Sequence, residues 1–245
     1  MSVLRQAIGA YVSSVGGVTV NWPTHLTNDV AVLFVQTANE TPSFVNAQGF
    51  QEIASTGTGT PGASGATRLS TYWCRATSNA MPSPELADCG DHVIAFIVTA
   101  RGAVSVGVPV LAFNTNQYPT PVTTSGCPPV TADYLLDFVL FGVSLGVNGT
   151  TNVWSAQYVE NSYVNSVGLA VGVGGVLAVH CSNLNSPPTS PSIYVTHTNA
   201  ASANQTIIVT AHAPPIEGGA ALSMPDTAMR GIGDLPIGGR FVGEI

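Results

Sequence analysis

Turn-forming residues constrain this chain more than any other feature, because they recur too often for long helices. The sequence holds 26 Gly and 17 Pro among 245 residues, and both residue types interrupt regular structure. They cluster in stretches such as Ser55–Ala66, Pro119–Pro129 and Pro187–Pro191. The segments between the clusters are mostly too short for the 3.6-residue apolar spacing of a helix to be sustained. The pattern therefore predicts short strands joined by turns.

Segments of strand length and strand composition lie between these turns. They are rich in β-branched and aromatic residues, which favour pleated, half-buried surfaces. The six strongest are Asp29–Thr37, Thr67–Ala76, Asp91–Arg101, Tyr134–Leu145, Val167–Val179 and Gln205–His212. Several short strands at this spacing are typical of a β-sandwich or a jelly roll. We predict an all-β, antiparallel β-sandwich domain of jelly-roll type over residues 1–213.

The segment Thr67–Ala76 has mixed polarity on both of its faces. In a strand, Leu69 and Trp73 point to one side, whereas Tyr72 and Cys74 point to the other. Neither face is purely polar. We therefore expect this strand to be partly covered on each side.

The first residues allow two interpretations. A helix is one of them, because apolar side chains recur at helical spacing in Leu4, Ile8, Tyr11, Val12 and Val15. Gly9 and the β-branched content that follows favour a β-hairpin instead, with Gly16-Gly17 as its turn. We predict the hairpin and keep the helix as the alternative.

The last 32 residues, 214–245, differ in character from the rest. Pro214-Pro215 cannot continue a strand ladder, because proline lacks the N–H donor. Gly or Pro then recurs every few positions, yet the segment keeps apolar side chains that a solvated linker would not need. These candidate anchors are Ile216, Leu222, Met224, Met229, Ile232, Leu235, Ile237 and Phe241. We predict an extended C-terminal arm that docks onto a neighbouring subunit or another protein.

Charge is sparse and acidic. Charged residues make up 8% of the chain, against about 25% in an ordinary soluble domain. The formal net charge is −7, and all six basic residues are arginines. A chain of this kind has no basic patch that could follow a phosphate backbone, so we predict no nucleic-acid partner.

Targeting signals are not evident in the sequence. The first 17 residues are interrupted by Arg5, Gln6, Ser13 and Ser14, unlike the apolar core of a secretory signal. The most apolar run, Val167–Val179, is shorter than the roughly 20 residues that a membrane-spanning helix needs. We predict neither a signal peptide nor a membrane partner.

Metal-binding and thiol motifs are not evident either. Cys74, Cys89, Cys127 and Cys181 are widely spaced, so we expect free buried thiols. In the turn DCGDH, we expect Asp91 to bind backbone N–H groups and His92 to begin a strand. We expect His25 to be solvated in its loop, while His180, His197 and His212 lie on separate segments. We predict no metal and no cofactor.

One segment of the sequence matches a catalytic motif, but the residues that follow it do not fit that motif. The segment Gly142–Gly146 has the sequence GVSLG. It fits the G-x-S-x-G pattern of a nucleophile elbow, in which Ser144 would be the nucleophile. The elbow needs a helix directly after the serine, and a turn follows here instead. The glycine stretch Gly57–Gly65 lacks the Lys-Ser/Thr pair of a phosphate-binding loop and predicts a turn. We therefore predict no catalytic residue and no enzymatic activity.

Aromatic residues leave a binding function open. Trp22, Trp73 and Trp154, with seven tyrosines, could form a platform on which sugar rings stack. The alternative is that Trp73 and Trp154 pack in the core of the sandwich, which we favour.

Three stretches resemble a set of virion proteins of tailed bacteriophages, which are β-rich and encoded among head and tail genes. The stretches are Trp22–Pro42, Gly57–Ser78 and Asp88–Ala103. The resemblance is a pattern of turns and strands, and it brings no catalytic residues with it. It implies a non-enzymatic structural subunit of the virion, assembled in the bacterial cytoplasm as a capsid decoration, fibre, collar or tail component.

The resemblance and the composition together imply partners. Edge strands of a sandwich are an aggregation hazard unless they are paired or covered, and a symmetric oligomer covers them. We expect a homo-oligomer, with a trimer as the expected state, attached to other proteins of the capsid or tail. The alternative function is a fibre module that binds a host receptor or glycan.

Overall fold

A computed structural model describes most of the first half of the chain and the principal strands of the second. The described residues are 5–63, 65–107, 109–114, 122–123, 138–147, 155–158, 164–172, 175–183, 193–196 and 201–212. They contain eighteen β-strands, and no helix occurs among them. Accordingly, this part of the chain has no helix that could span a membrane. The predicted arm, residues 214–245, and its eight anchor residues lie outside the described residues.

The strands are short, as the spacing of turns predicts. The first nine are β1 (Arg5–Ile8), β2 (Val12–Ser14), β3 (Val18–Thr19), β4 (Val30–Thr37), β5 (Phe44–Asn46), β6 (Gln51–Thr58), β7 (Thr67–Arg75), β8 (Glu85–Leu86) and β9 (Val93–Arg101). The other nine are β10 (Ser105–Val106), β11 (Val110–Asn114), β12 (Val122–Thr123), β13 (Phe138–Val147), β14 (Ser155–Tyr158), β15 (Val164–Gly172), β16 (Gly175–Asn183), β17 (Ile193–Thr196) and β18 (Ala201–His212).

Two large antiparallel sheets contain most of these strands. The first large sheet has the order β1-β9-β4-β7-β6, with β2 also paired to β9. The second large sheet has the order β10-β18-β13-β16-β15, with β11 also paired to β18. Two small sheets have the orders β3-β8-β5 and β12-β17-β14. The predicted all-β, antiparallel class is confirmed for the described residues.

One hydrophobic cluster contains side chains from both large sheets. Phe34 and Leu69 enter it from the first sheet, and Leu140, Leu177 and Ile207 enter it from the second. All five are fully buried. Burial of one such side chain stabilises a fold by about 1.5–3 kcal/mol, so this cluster is a main source of stability.

A second cluster lies on the opposite face of the first large sheet. It contains Leu33 and Val35 of β4 together with Tyr72 of β7. Leu86 of β8 and Phe44 of β5 belong to the same cluster, so the small sheet β3-β8-β5 contributes to the cover. Because both faces are covered, every residue of β4 is buried. This explains why its sequence is a continuous apolar run rather than an alternating one.

The two faces of β7 divide as the alternation predicts. Leu69 and Trp73 belong to the cluster shared by the large sheets. Tyr72 and Cys74 belong to the cluster on the opposite face. The prediction that this strand is covered on both sides is therefore confirmed.

The N-terminal segment is extended, but the predicted hairpin is wrong. Strands β2 and β3 flank Gly16-Gly17 and yet join different sheets, since β2 pairs with β9 and β3 pairs with β8. A Cβ built on Gly17 would lie 3.0 Å from the carbonyl oxygen of Leu86. The glycine therefore permits a close approach to the β8 backbone, and the chain passes from one sheet to the next.

The apolar run Val167–Val179 is two strands rather than one. Strands β15 and β16 pair as an antiparallel hairpin, with Gly172 opposite Gly175. The parts of both strands that lie within this run carry only apolar residues and glycine, so the sequence has no polar residue between them. Only the glycines mark the place where the chain turns back.

Candidate functional site

Five polar side chains form a continuous hydrogen-bonded series that leads from the surface into the core. We call Asp91, His92, Gln36, Thr67 and Ser144 the polar network. His92 Nδ1 lies 2.7 Å from Asp91 Oδ2, and His92 Nε2 lies 3.0 Å from Gln36 Oε1. Gln36 Nε2 donates to Thr67 Oγ1 at 3.3 Å, and Thr67 Oγ1 donates to Ser144 Oγ at 3.1 Å. Asp91 is half-exposed, whereas the other four residues are buried.

Strand pairing places these residues together. Gln36 on β4 lies opposite Ile94 of β9 and opposite Leu69 of β7. His92 comes just before β9, and Thr67 is the first residue of β7. Both therefore lie two residues from the positions paired with Gln36, on the same face of the sheet. The first large sheet thus fixes the spacing of the three side chains.

The contacts determine which way the Gln36 amide points. Gln36 Nε2 donates a second hydrogen bond to the carbonyl oxygen of Thr37, at 2.9 Å. A carbonyl oxygen only accepts, so the amide nitrogen must face Thr37 and the amide oxygen must face His92. His92 Nε2 then has to donate. Its Nδ1 faces the Asp91 carboxylate, which also accepts. The His92 ring is therefore held between the amide oxygen of Gln36 and the carboxylate of Asp91.

The GVSLG motif is a feature of close packing. Gly142, Ser144 and Gly146 alternate along β13 and are all buried. A Cβ on Gly142 would collide with the ring of Phe34, and one on Gly146 would collide with the backbone of Gly65. Small residues at these positions therefore let the second large sheet approach the first.

Ser144 lies in the middle of a paired strand. Its backbone is opposite Leu177 of β16 and opposite Gln205 of β18. A nucleophile elbow places its serine on a sharp turn between a strand and a helix. Ser144 has no such turn, since β13 continues to Val147.

A second contact between threonine and glutamine links the two large sheets directly. Thr56 Oγ1 of β6 donates to Gln205 Oε1 of β18 at 2.6 Å. Gln205 is 1% exposed. A buried amide is costly unless it is hydrogen-bonded, so this contact stabilises the pairing of the sheets at this point.

The DCGDH turn differs in detail from the prediction. Asp88 Oδ1, rather than Asp91, accepts a hydrogen bond from a backbone N–H within the turn, that of Gly90 at 2.8 Å. Glu40 Oε2 accepts from the backbone N–H of Asp91 at 2.9 Å. The Asp91 carboxylate is therefore free to bind His92. The described part of the chain contains no group of three acidic, histidine or cysteine side chains placed to hold a metal ion.

The prediction of a solvated His25 is wrong. His25 is buried, and its Nδ1 lies 2.8 Å from the carbonyl oxygen of Pro23. Its Nε2 accepts from the backbone N–H of Met81 at 3.1 Å, which assigns the proton to Nδ1. The Trp22 ring contacts the His25 ring with centroids 4.5 Å apart and planes tilted by 40°, and Trp22 donates to the carbonyl oxygen of Pro82. The segment around Met81 thus covers the loop that holds His25.

The tryptophans do not share one platform. Trp73 packs against the cluster between the large sheets, and Trp22 packs against the cluster on the opposite face. Trp154 lies outside the described residues. A stacking surface that combined Trp22 with Trp73 is therefore not formed.

Most of the glycine stretch forms the turn that the sequence predicts, whereas its first two residues, Gly57 and Thr58, belong to β6. The turn connects β6 with β7, and Gly59, Gly62 and Gly65 have φ values of +89°, +72° and +82°. Such angles favour glycine, because a Cβ is strained there. The Asn39 side chain donates to the carbonyl oxygen of Gly59 at 2.5 Å and holds the turn against the end of β4.

Two cysteines are free and buried as predicted, and a tyrosine lies near them in the same cluster. Cys74 and Cys89 make no disulfide. Burial raises the pKa of Cys74 to about 12. Burial also raises the pKa of Cys89, with a smaller contribution from Glu40 and Asp88. Cys127 lies outside the described residues, and Cys181 lies on β16.

Tyr72 has a shifted pKa for the same reason. Burial raises the pKa of Tyr72 to about 12, and the Glu52 carboxylate adds to the shift. Ser70 and Glu52 are near enough to influence its pKa, but the buried hydroxyl oxygen makes no hydrogen bond of normal geometry. An unsatisfied buried hydroxyl typically costs about 1–3 kcal/mol.

Alkaline pH is expected to destabilise the fold through these groups. Tyr72 and Cys74 have reference pKa values of 10.0 and 9.0, so the unfolded chain releases their protons before the folded chain does. The free energy of unfolding should therefore be undiminished by them below pH 9 and fall as the pH rises to about 12. Denaturant unfolding at a series of pH values measures this. Tyr72→Phe should flatten the decline without lowering stability at pH 7, and an equally steep decline in that variant would contradict the assignment.

Comparison of the chain with protein-family models, with curated proteins and with solved structures finds no match. The interpretation of the site therefore rests on its geometry. Sequence reasoning missed four members of the polar contacts, Gln36, Thr67, Thr56 and Gln205. The signal that could have revealed Gln36 is a glutamine at the end of an otherwise apolar strand, VAVLFVQT.

Proposed function

We propose that this chain is a non-enzymatic structural subunit of a bacteriophage virion, built as a jelly-roll-type β-sandwich. The cluster that contains Phe34, Leu140 and Ile207 supports the sandwich, because side chains of both large sheets enter it. The observation that carries the function is the cover on both faces of the first large sheet. Such a fold is stabilised by burial of apolar side chains and by hydrogen bonds between strands. This kind of stability suits a protein of a virus particle, which is not repaired after the particle is assembled.

The use of arginine agrees with this proposal. Arg101 Nη2 binds the buried Asp29 carboxylate at 3.2 Å. Arg75 donates to the backbone carbonyl oxygens of Asn28 and Ala103, at 3.0 and 3.4 Å. These cations hold loops of the same chain. Screening of exposed ion pairs would therefore change little, and we expect stability to depend weakly on salt.

Open sheet edges support assembly into a homo-oligomer. Among the described strands, β6 pairs with β7 alone and β15 pairs with β16 alone. Unpaired edges of this kind are templates for another chain unless they are covered. In the proposed trimer, neighbouring subunits and the arm of residues 214–245 cover them, and other capsid or tail proteins provide the attachment.

Two measurements test the proposed function. Electron microscopy of the parent particle should show density for this chain at a capsid, collar, fibre or tail position. Sedimentation of the purified protein should find a trimer or larger species at micromolar concentration. A chain that is missing from the particle and stays monomeric at high concentration would contradict the proposal.

A receptor-binding module of a fibre is the second candidate, because Trp22 is only half-buried and its indole ring is backed by His25 and Phe50. A rigid, partly exposed aromatic ring is a typical platform for a sugar. Binding to a glycan array that is abolished by Trp22→Ala and retained by Trp73→Phe would favour this role. If the protein binds no glycan, only the structural role remains.

A further inference from the structure

Gln36 and Thr67 bring an amide and a hydroxyl together in the buried part of the polar network. Gln36 Nε2 lies 3.3 Å from Thr67 Oγ1, and both residues are 0% exposed. The hydroxyl oxygen of Thr67 is a nucleophile, and the amide carbon of Gln36 is an electrophile. Because adjacent strands hold the two groups together, their effective concentration is high, which lowers the barrier to a reaction between them.

His92 activates this amide. Its Nε2 lies 3.0 Å from the amide oxygen Gln36 Oε1, and the orientation of the amide requires this nitrogen to donate. A hydrogen-bond donor at that distance withdraws electrons from the amide carbon and stabilises negative charge that develops on the oxygen. Asp91 holds the ring through Nδ1 at 2.7 Å and is a positioning residue.

We propose that Gln36 and Thr67 form an intramolecular ester that the chain makes by itself. Thr67 Oγ1 attacks Gln36 Cδ, and a C–O bond forms while charge collects on Oε1 beside His92. The Cδ–Nε2 bond then breaks. The hydroxyl proton of Thr67 passes to Nε2, and ammonia leaves, so atoms and electrons balance without an oxidant or a co-reactant.

The surroundings of the pair agree with this step. Ser144 Oγ, which accepts from Thr67 at 3.1 Å, can carry the hydroxyl proton during the transfer. A hydroxyl that accepts from the amide N–H lies near the amide plane, so attack requires the Thr67 hydroxyl to move out of that plane while Oε1 keeps its contact with His92. Burial of Gln36, Thr67 and Ser144 at 0% exposure then keeps water away from the ester.

The bond would join β4 to β7 beside the inter-sheet core. It would close a loop from residue 36 to residue 67, which contains β5 and β6. A covalent link of this kind restricts the unfolded chain as a disulfide does. It needs no oxidising compartment, so it could form in the reducing bacterial cytoplasm that the proposed function implies, where disulfides are rare.

Mass spectrometry of the purified full chain tests the proposal. We expect the intact denatured protein to be lighter than its sequence by one ammonia molecule. Proteolysis should yield a linked peptide pair that contains Gln36 and Thr67, and hydroxylamine should separate it. A chain with the full mass of its sequence overturns the proposal.

Controls distinguish this ester from other losses of ammonia. The Thr56–Gln205 contact and a succinimide at Asn148-Gly149 would give the same mass change, so a loss mapped to either place overturns the assignment. Thr67→Val should restore the full mass, whereas Thr56→Val should leave the link intact. His92→Asn should slow formation by roughly a hundredfold. The peptide map of the unaltered chain decides the question even if a variant fails to fold.

Discussion

Replacing Phe34 by alanine is expected to lower the free energy of unfolding by about 3–5 kcal/mol. Phe34 is 0% exposed and lies in the cluster that both large sheets share. Its ring fills the space that Gly142 leaves open on β13. The substitution removes the ring and leaves a cavity, which the paired strands cannot move to fill. Denaturant unfolding measures the change, and Val45→Ala, at a side chain 66% exposed, should stay within about 0.5 kcal/mol of the parent.

A double-mutant cycle of Phe34 and Gly142 tests whether the two large sheets pack against each other at these residues. Gly142→Ala alone should cost about 1–3 kcal/mol, because its Cβ collides with the Phe34 ring. In the Phe34→Ala background the methyl group enters the cavity, so the cost should vanish. Gly16→Ala is the matched control, since no atom lies within 4 Å of the added Cβ. Additive effects of Phe34 and Gly142 would show that the two sheets do not pack against each other at this point.

Deleting residues 214–245 is expected to abolish oligomerisation or attachment to the particle while the domain stays folded. Ordering 32 residues costs on the order of 1–2 kcal/mol each in backbone entropy. The eight apolar anchors of the arm return only about 1.5–3 kcal/mol each, so apolar burial alone does not hold the arm on its own domain. Backbone hydrogen bonds supplied by a neighbouring subunit would favour docking there.

Thermal unfolding and sedimentation of the truncated chain check this prediction. The midpoint of unfolding should remain near that of the isolated full-length subunit, and the oligomer should be lost. A matched variant that retains the arm but replaces Ile232, Leu235 and Ile237 by serine should lose the oligomer as well. If the truncated chain is unfolded and insoluble, the arm is part of the domain core and its proposed role is wrong.

Local composition predicts the long apolar strands β4, β7 and β9 well, because such segments have few alternatives. The predicted strand Thr67–Ala76 is β7, Thr67–Arg75, and Asp91–Arg101 contains β9, Val93–Arg101. Tyr134–Leu145 overlaps β13, Phe138–Val147, which extends two residues further. Strand boundaries depend on pairing partners as well as on composition, which a single segment does not contain.

The polar network could not be predicted, because its members are distant in sequence. Gln36 and His92 are 56 positions apart, and Thr67 and Ser144 are 77 apart. Each residue has an ordinary local interpretation when taken alone. Only the register of β4 with β7 and β9 brings them together, and register is a property of the whole sheet.

Ser144 shows why a motif needs its context. The spacing of two glycines around a serine fits two structures equally well. One is a nucleophile elbow, and the other is a set of alternate positions on one face of a strand. The structure gives each glycine a packing partner, in Phe34 and in the backbone of Gly65. The alternation of β13 is therefore sufficient to explain the pattern.

The central position of β4 sets an order for folding. Strand β4 ends at Thr37, its neighbour β7 begins at Thr67, and its other neighbour β9 begins only at Val93. Closing the larger loop costs more chain entropy, so we expect β4 to pair with β7 before it pairs with β9. During that interval β4, which is buried along its whole length in the folded protein, has one open edge. A nascent chain is then exposed to pairing with another copy, and fast production at high temperature would favour aggregates over subunits.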